Sequence, residues 1–230
     1  AGPLAQLPVE WSEVRPDHQV PSGATIIPGL VDSHLHGGAG GEFGIDLEAA
    51  RTGIVEHHRH GSTTLIGSLV SAGADDLVHA THTLGGLVAS GELAGIHLEG
   101  PFIAAARKGA HDPGALRDGD PRLVEALAEA AEAAGAPGAI RHLTFAPDRA
   151  GTHGLPATLH RHGIHVAVGH TEADAALTAR VLRSAADATG DRQDVEAVRR
   201  RNGDVVDVGE RGAIEAGGDV VARDDDRGRT

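Results

Sequence analysis

Two histidines two residues apart, in His34-Leu35-His36, close an apolar run that starts at Ile26. Side chains alternate along an extended strand, so both imidazoles share one side and can offer nitrogens to one cation at roughly 2.0–2.1 Å. With 16 His in 230 residues, chance pairs are common, and the neighbours decide: Gly37 and Gly38 come at once, as at a strand end. Glu99 stands likewise at the mouth of Leu93-Ala94-Gly95-Ile96-His97-Leu98, before Gly100-Pro101. A carboxylate there is costly to desolvate unless it meets a cation, the plain alternative being an exposed loop position. His170 ends Val166-Ala167-Val168-Gly169; alone, such a histidine commonly bonds the backbone. Closing a sheet brings these three strand ends together, giving neutral imidazoles and a carboxylate suited to Zn²⁺ or another divalent first-row metal. A fourth feature, Arg107-Lys108-Gly109-Ala110-His111-Asp112-Pro113, could meet an anionic or hydroxyl-rich ligand or be a solvated loop.

The elements that must position these residues form a strand–helix rhythm. After the first strand, a helix is predicted near 46–60, with Asp46 as N-cap and Leu47, Ala50 and Ile54 on one face. Thr63-Thr64-Leu65-Ile66-Gly67 is a β-branched strand, followed by a helix near 75–89 and the strand leading to Glu99. A loop of some twenty residues precedes a helix opened by Asp120-Pro121, longer than a connection needs and hence a functional candidate. Then come a strand at 141–145, a short helix near 154–162, a strand at 165–170 and a helix from Glu172 to about Ser184. Five β–α units predict an α/β fold with a parallel sheet, either doubly wound or part of an eight-stranded barrel. Polar residues at strand C-terminal ends favour the barrel. His57, His58 and His60 lie near a helix C-terminus, where imidazolium suits the dipole, and with His79, His82, His160 and His162 are assigned no chemistry. From 186 to 230 the rhythm stops; Asp, Arg and Gly dominate, with room for a helix near 193–201 and two short strands.

Composition narrows the function classes. A formal charge of −13 argues against nucleic acid as partner, though a locally positive pocket for a small phosphorylated ligand is compatible with it. Without Cys there is neither a disulfide nor thiolate chemistry. No run of about 18 apolar residues predicts a membrane span, and the N-terminus lacks signal-peptide character, so the expectation is cytoplasmic. The absence of any Met, including at position 1, points to a processed or partial chain.

Together, PGLVDSHLHGG (28–38), GSTTLIGSLVS (61–71), GIHLEGPFI (95–103), RKGAH (107–111) and VAVGHTEAD (166–174) resemble the N-acetylglucosamine-6-phosphate deacetylase family of the amidohydrolase superfamily. The resemblance implies a metal-bearing (β/α)8 TIM barrel with a small β-sandwich domain from both chain ends, here incomplete. Residues 1–24 would belong to the small domain, 25–185 to a partial barrel, and 186–230 to a tail returning to the small domain. It matches Glu99 and His170 to ligands of the principal metal and His34 and His36 to a pair binding a second ion, zinc being the expected metal, one ion or two. Ala110 and His111 match the loop that contacts the sugar phosphate substrate, and a complete fold implies a homodimer. The implied reaction is hydrolysis of the acetamide of N-acetylglucosamine 6-phosphate, in amino-sugar catabolism. There are departures: the family's THLxNAM segment is absent, the last His being His170, and Ala186-Asp187-Ala188 is the nearest text to its catalytic TDA, making Asp187 the candidate acid. The alternatives are another amidohydrolase acting on a C–N bond and a catalytically inactive, truncated remnant.

Overall fold

The computed structural model describes residues 21 and 23–189, together with three short strands at 195–197, 200–201 and 204–205. The small-domain assignment on 1–24 therefore lies almost wholly outside the described residues, and the tail assigned to 186–230 lies mostly outside them.

Strand β1 is Leu30–Leu35, followed by a two-residue hairpin, β2 (Gly37–Gly38) and β3 (Gly41–Glu42). Helix α1 (Leu47–Arg59) opens where Asp46 Oδ1 accepts the Glu48 and Ala49 N–H groups at 2.9 and 3.1 Å, the cap expected of that residue. The alternation then continues with β4 (Ser62–Leu69), α2 (Ala74–Ala89), β5 (Gly95–Glu99) and α3 (Pro121–Ala133). Asp120 caps α3, with Pro121 in the first turn, where a missing N–H costs nothing. After α3 come β6 (Ile140–Phe145), α4 (Leu155–Arg161), β7 (His165–Val168) and α5 (Ala175–Thr189).

β1, β4, β5, β6, β7 and β8 (Val195–Ala197) make one parallel sheet in that order. Each strand pairs with the next of the sheet in chain order, with no reversal of direction across it. A doubly wound sheet needs such a switch point; a barrel wall does not. β9 (Arg200–Arg201) and β10 (Asp204–Val205) form a separate antiparallel pair. The helix expected near 193–201 is replaced here by strands. Val195–Ala197 pair with Val166–Val168 at the open edge of β7, and pairing across space overrides local preference.

Period-two alternation divides the sheet's two faces. Leu65, Leu69, Ile96, Leu98, Leu143, Phe145, Val166 and Val168 join helix residues such as Leu84, Leu127 and Leu159 in one buried apolar core. Ser68, His97 and His142 lie in register on β4, β5 and β6, so a polar file crosses the opposite face. β1 is an outer strand; Ile26, Ile27, Leu30 and Val31 before and within it are exposed. Among the described residues no helix is long and apolar enough to cross a membrane.

Candidate metal centre

Glu99 is the last residue of β5 and only 8% exposed. The chain must turn sharply after it: Gly100 has φ +82°, and a Cβ there would run into Ser71 Oγ. The carboxylate thus emerges at the C-terminal end of the sheet with both oxygens occupied. Oε1 lies 2.8 Å from His170 Nε2. Oε2 lies 2.9 Å from His36 Nε2, 3.5 Å from His34 Nε2 and 3.6 Å from His111 Nε2. Two groups share Glu99, His34–His36–Glu99 and Glu99–His111–His170, and within each the ligand atoms lie within 4.8 Å of one another.

The local sequence explains this convergence. His34 and His36 sit at the end of β1 with their Nε2 atoms 3.1 Å apart, and Gly37 (φ +125°) lets the hairpin fold back where a side chain would strike the Gly41 carbonyl. His111 ends the Arg107–His111 stretch of the long loop after β5, and His170 comes just after β7. The two cations of that stretch are engaged within the protein: Arg107 pairs with Glu172 at 3.4 Å, and Lys108 Nζ donates to the Gly109 and His111 carbonyls at 3.2 and 3.3 Å. Ala110 is exposed on the same loop. Asp187 falls in the last turns of α5, and its side chain lies outside the described residues.

The partners of each ring's far nitrogen separate the histidines chemically. His36 Nδ1 donates to the Ser68 carbonyl at 3.1 Å, and His170 Nδ1 donates to the Arg107 carbonyl at 2.8 Å. A carbonyl can only accept, so each Nδ1 carries a proton and Nε2 is the atom that faces Glu99, where a proton hydrogen-bonds the carboxylate or, in its place, a cation takes the Nε2 lone pair. His111 is the reverse: its Nδ1 accepts the Ser71 N–H at 3.2 Å and meets Ser71 Oγ at 2.8 Å. Its proton therefore sits on Nε2, facing the site as a hydrogen-bond donor.

The electrostatics agree. Burial works against the charged Glu99, but hydrogen bonds from His111, His170, His34 and His36 outweigh it and hold the carboxyl well below its ordinary range. Burial also lowers His36, yet the bond to Glu99, its charge and the Ser68 carbonyl together raise it. Beneath the ligand atoms lies a feature that sequence reasoning misses. His97 and His142 stack with centroids 4.0 Å apart, and burial keeps both neutral, His142 pushed down to about 4. His57 and His58 bond the Gly37 and Ser62 carbonyls, in keeping with their assignment to no chemistry.

No family model matches the chain. Over 185 residues it is 30% identical to N-acetylglucosamine-6-phosphate deacetylase of Bacillus subtilis (strain 168), covering 73% of this chain and 43% of that one. The human enzyme of the same name is 30% identical over 174 residues, 72% of this chain and 40% of its own length. The solved N-acetyl-D-glucosamine-6-phosphate deacetylase of Mycobacterium smegmatis is 42% identical at a TM-score of 0.62, covering 70% of this chain and 44% of that one. A mutant of that enzyme was solved in complex with N-acetyl-D-glucosamine-6-phosphate. The Pasteurella multocida enzyme, 20% identical with a TM-score of 0.60, shares the fold over 84% of this chain and 48% of its own. The chain thus spans less than half the length of these relatives, and its parallel sheet corresponds to an incomplete barrel. In sequence and in structure, the homologues of this chain are N-acetylglucosamine-6-phosphate deacetylases, and it matches a part of them.

Proposed function

We propose that the chain carries the metal-binding part of an amide hydrolase that converts N-acetylglucosamine 6-phosphate to glucosamine 6-phosphate and acetate. The observation that carries this reading is Glu99, whose two oxygens are divided between two histidine groups at the C-terminal end of a barrel-like sheet. Its donors fit a divalent cation: one carboxylate, and two imidazoles whose Nε2 atoms aim inward while Nδ1 carries a proton.

In this reading Glu99 and His170 hold the principal ion, zinc, and His34 and His36 accommodate a second. A bound divalent cation supplies Lewis acidity toward the amide carbonyl and lowers the pKa of water. His111, protonated on Nε2, donates to an oxygen of the substrate, and Ala110 presents the neighbouring loop backbone to it. Asp187 is the candidate acid for protonating the departing amine. The remaining proposals are a small β domain from the chain ends, a homodimer and a cytoplasmic location.

A second substrate reading has one observation behind it. The chain is 26% identical to an N-acetylgalactosamine-6-phosphate deacetylase of Shewanella over 198 residues. Acetate release from both sugar phosphates, with zinc and with chelator, tests both readings. Zinc-dependent release from one sugar selects the substrate. A folded, zinc-loaded chain that releases acetate from neither overturns the assignment of activity to these residues.

A further inference from the structure

The two histidines of the His34–His36 pair lie where β1 is least regular. Among the described residues β1 pairs with β4 alone, and the register shifts between Asp32 and Leu35. Such a shift removes a backbone group from its ladder partner and can re-aim the side chains beside it. Here the Leu35 N–H turns to a side chain, Ser68 Oγ, 3.2 Å away. The Ser68 carbonyl in turn accepts His36 Nδ1–H at 3.1 Å. Ser68 therefore holds both the backbone between the two histidines and the ring of the second.

Ser68 is itself held. It is 1% exposed, and its hydroxyl lies 2.9 Å from His97 Nδ1. His97, equally buried, meets Thr144 Oγ1 through Nε2 at 2.8 Å. A neutral imidazole has one donor and one acceptor, which two hydroxyls can satisfy together. The ring is pinned from below by the stacked His142 and turns an edge to His34, 4.7 Å away and inclined by 73°. A line of side chains thus runs from the half-buried Thr144 on β6 through the buried His97 on β5 and Ser68 on β4 to the backbone of β1.

We infer that Ser68 and His97 are positioning residues that aim His34 and His36 at Glu99. They replace, with side-chain bonds, the ladder that β1 lacks at this point. This rests on the reading of His34 and His36 as cation ligands. Neither residue touches the ion or the substrate; their effect passes through Leu35 and the two rings.

The experiment compares the 230-residue chain with Ser68→Ala, Ser68→Thr and Glu99→Gln. Zinc affinity is measured by calorimetric titration, folding by melting in chelator, and the His34–His97 ring contact by proton NMR of the metal-free protein. Losing such an outer support weakens metal binding by roughly 10–100-fold, so Ser68→Ala is expected to fall in that range. It should also lose the ring contact, whereas Ser68→Thr, which keeps the hydroxyl, should retain both. Unchanged zinc affinity and ring contact in Ser68→Ala overturn the inference. So does an equal loss in both variants that tracks the melting temperature, which marks general destabilisation. Glu99→Gln separates this from failure of the site itself. If it binds zinc like the unaltered chain, the metal centre is misassigned, and the ring contact alone then decides the role of Ser68.

Discussion

His34 and His36 reach Glu99 from the outermost strand of the sheet, whereas His111 and His170 reach it from loops tied into the protein interior. The exposures reflect this difference: the first two side chains are 39% and 37% exposed, the second two 4% and 26%. Main-chain groups fix the loop side. His111 takes the Ser71 N–H, His170 gives its Nδ1 proton to the Arg107 carbonyl, and the His170 carbonyl accepts the Ala104 N–H at 3.0 Å. His170 even adopts φ +49°, a conformation that costs on the order of 1–3 kcal/mol outside glycine. Asp148 steadies the next two residues, accepting the Thr171 hydroxyl and the Glu172 N–H. On the strand side the Ser68 carbonyl takes the His36 Nδ1 proton, but the backbone between the two histidines is held by a side chain, Ser68 Oγ, at an irregular edge. One half of the centre is preset by the fold; the other is only as firm as β1.

The largest test of that contrast compares His170→Ala with His36→Ala. A rim ion pair is worth about 1 kcal/mol, while breaking a buried one costs about 3–5 kcal/mol. Zinc affinity should therefore drop at least about tenfold more in His170→Ala, each 1.4 kcal/mol being roughly a factor of ten. Equal losses would show that the strand side is as rigid as the loop side.

Acidification should weaken the strand side next. His142 is lowered to about 4 when folded, against 6.5 ordinarily, so its contribution is present above 6.5 and is lost as pH falls toward 4. The loss is at most about 3 kcal/mol. His36 runs the other way: it is raised, so its contribution is complete below 6.5 and disappears as pH rises past its folded value. Glu99 is lowered from 4.5, so its contribution persists throughout that window and fades only in stronger acid. Denaturant unfolding in chelator should thus show greatest stability around neutrality and a decline from about pH 7 to about pH 5. His142→Asn should flatten that decline; an unchanged slope would mean that His142 is not its source and leave it to the likewise lowered His97.

The smallest effect belongs to Asp46→Ala. Removing this cap costs about 1 kcal/mol. Because α1 carries His57, whose Nε2 donates to the Gly37 carbonyl at 2.9 Å, the loss falls on the hairpin beside His36. Urea unfolding should register it while zinc affinity stays nearly constant. A large fall in affinity would mean that α1, rather than Ser68, steadies the pair.

Much of this is legible in the residues themselves. Caps at Asp46 and Asp120 locate α1 and α3, and strand-end polarity points to His34, His36, Glu99 and His170. The apolar run places the first strand too early: β1 begins at Leu30, where Ser62 becomes its partner, rather than at Ile26. The histidines consequently lie at its end and just past it. Ser68 and His97 are inconspicuous because each is ordinary within its own strand, and their meeting depends on the register of β4 against β5. His142 is hidden for the same reason. Val195–Ala197 form a strand only because β7 offers an open edge.

The exposed apolar margin of β1 has a consequence for the metal centre. Leu30 and Val31 sit on the strand that ends in the histidine pair. Any polypeptide that came to lie along this strand would cover those residues and steady His34 and His36 in one act. Cation binding and coverage of the edge are therefore thermodynamically linked. Whatever factor the covering segment lends to metal affinity, the metal must return to the association of that segment.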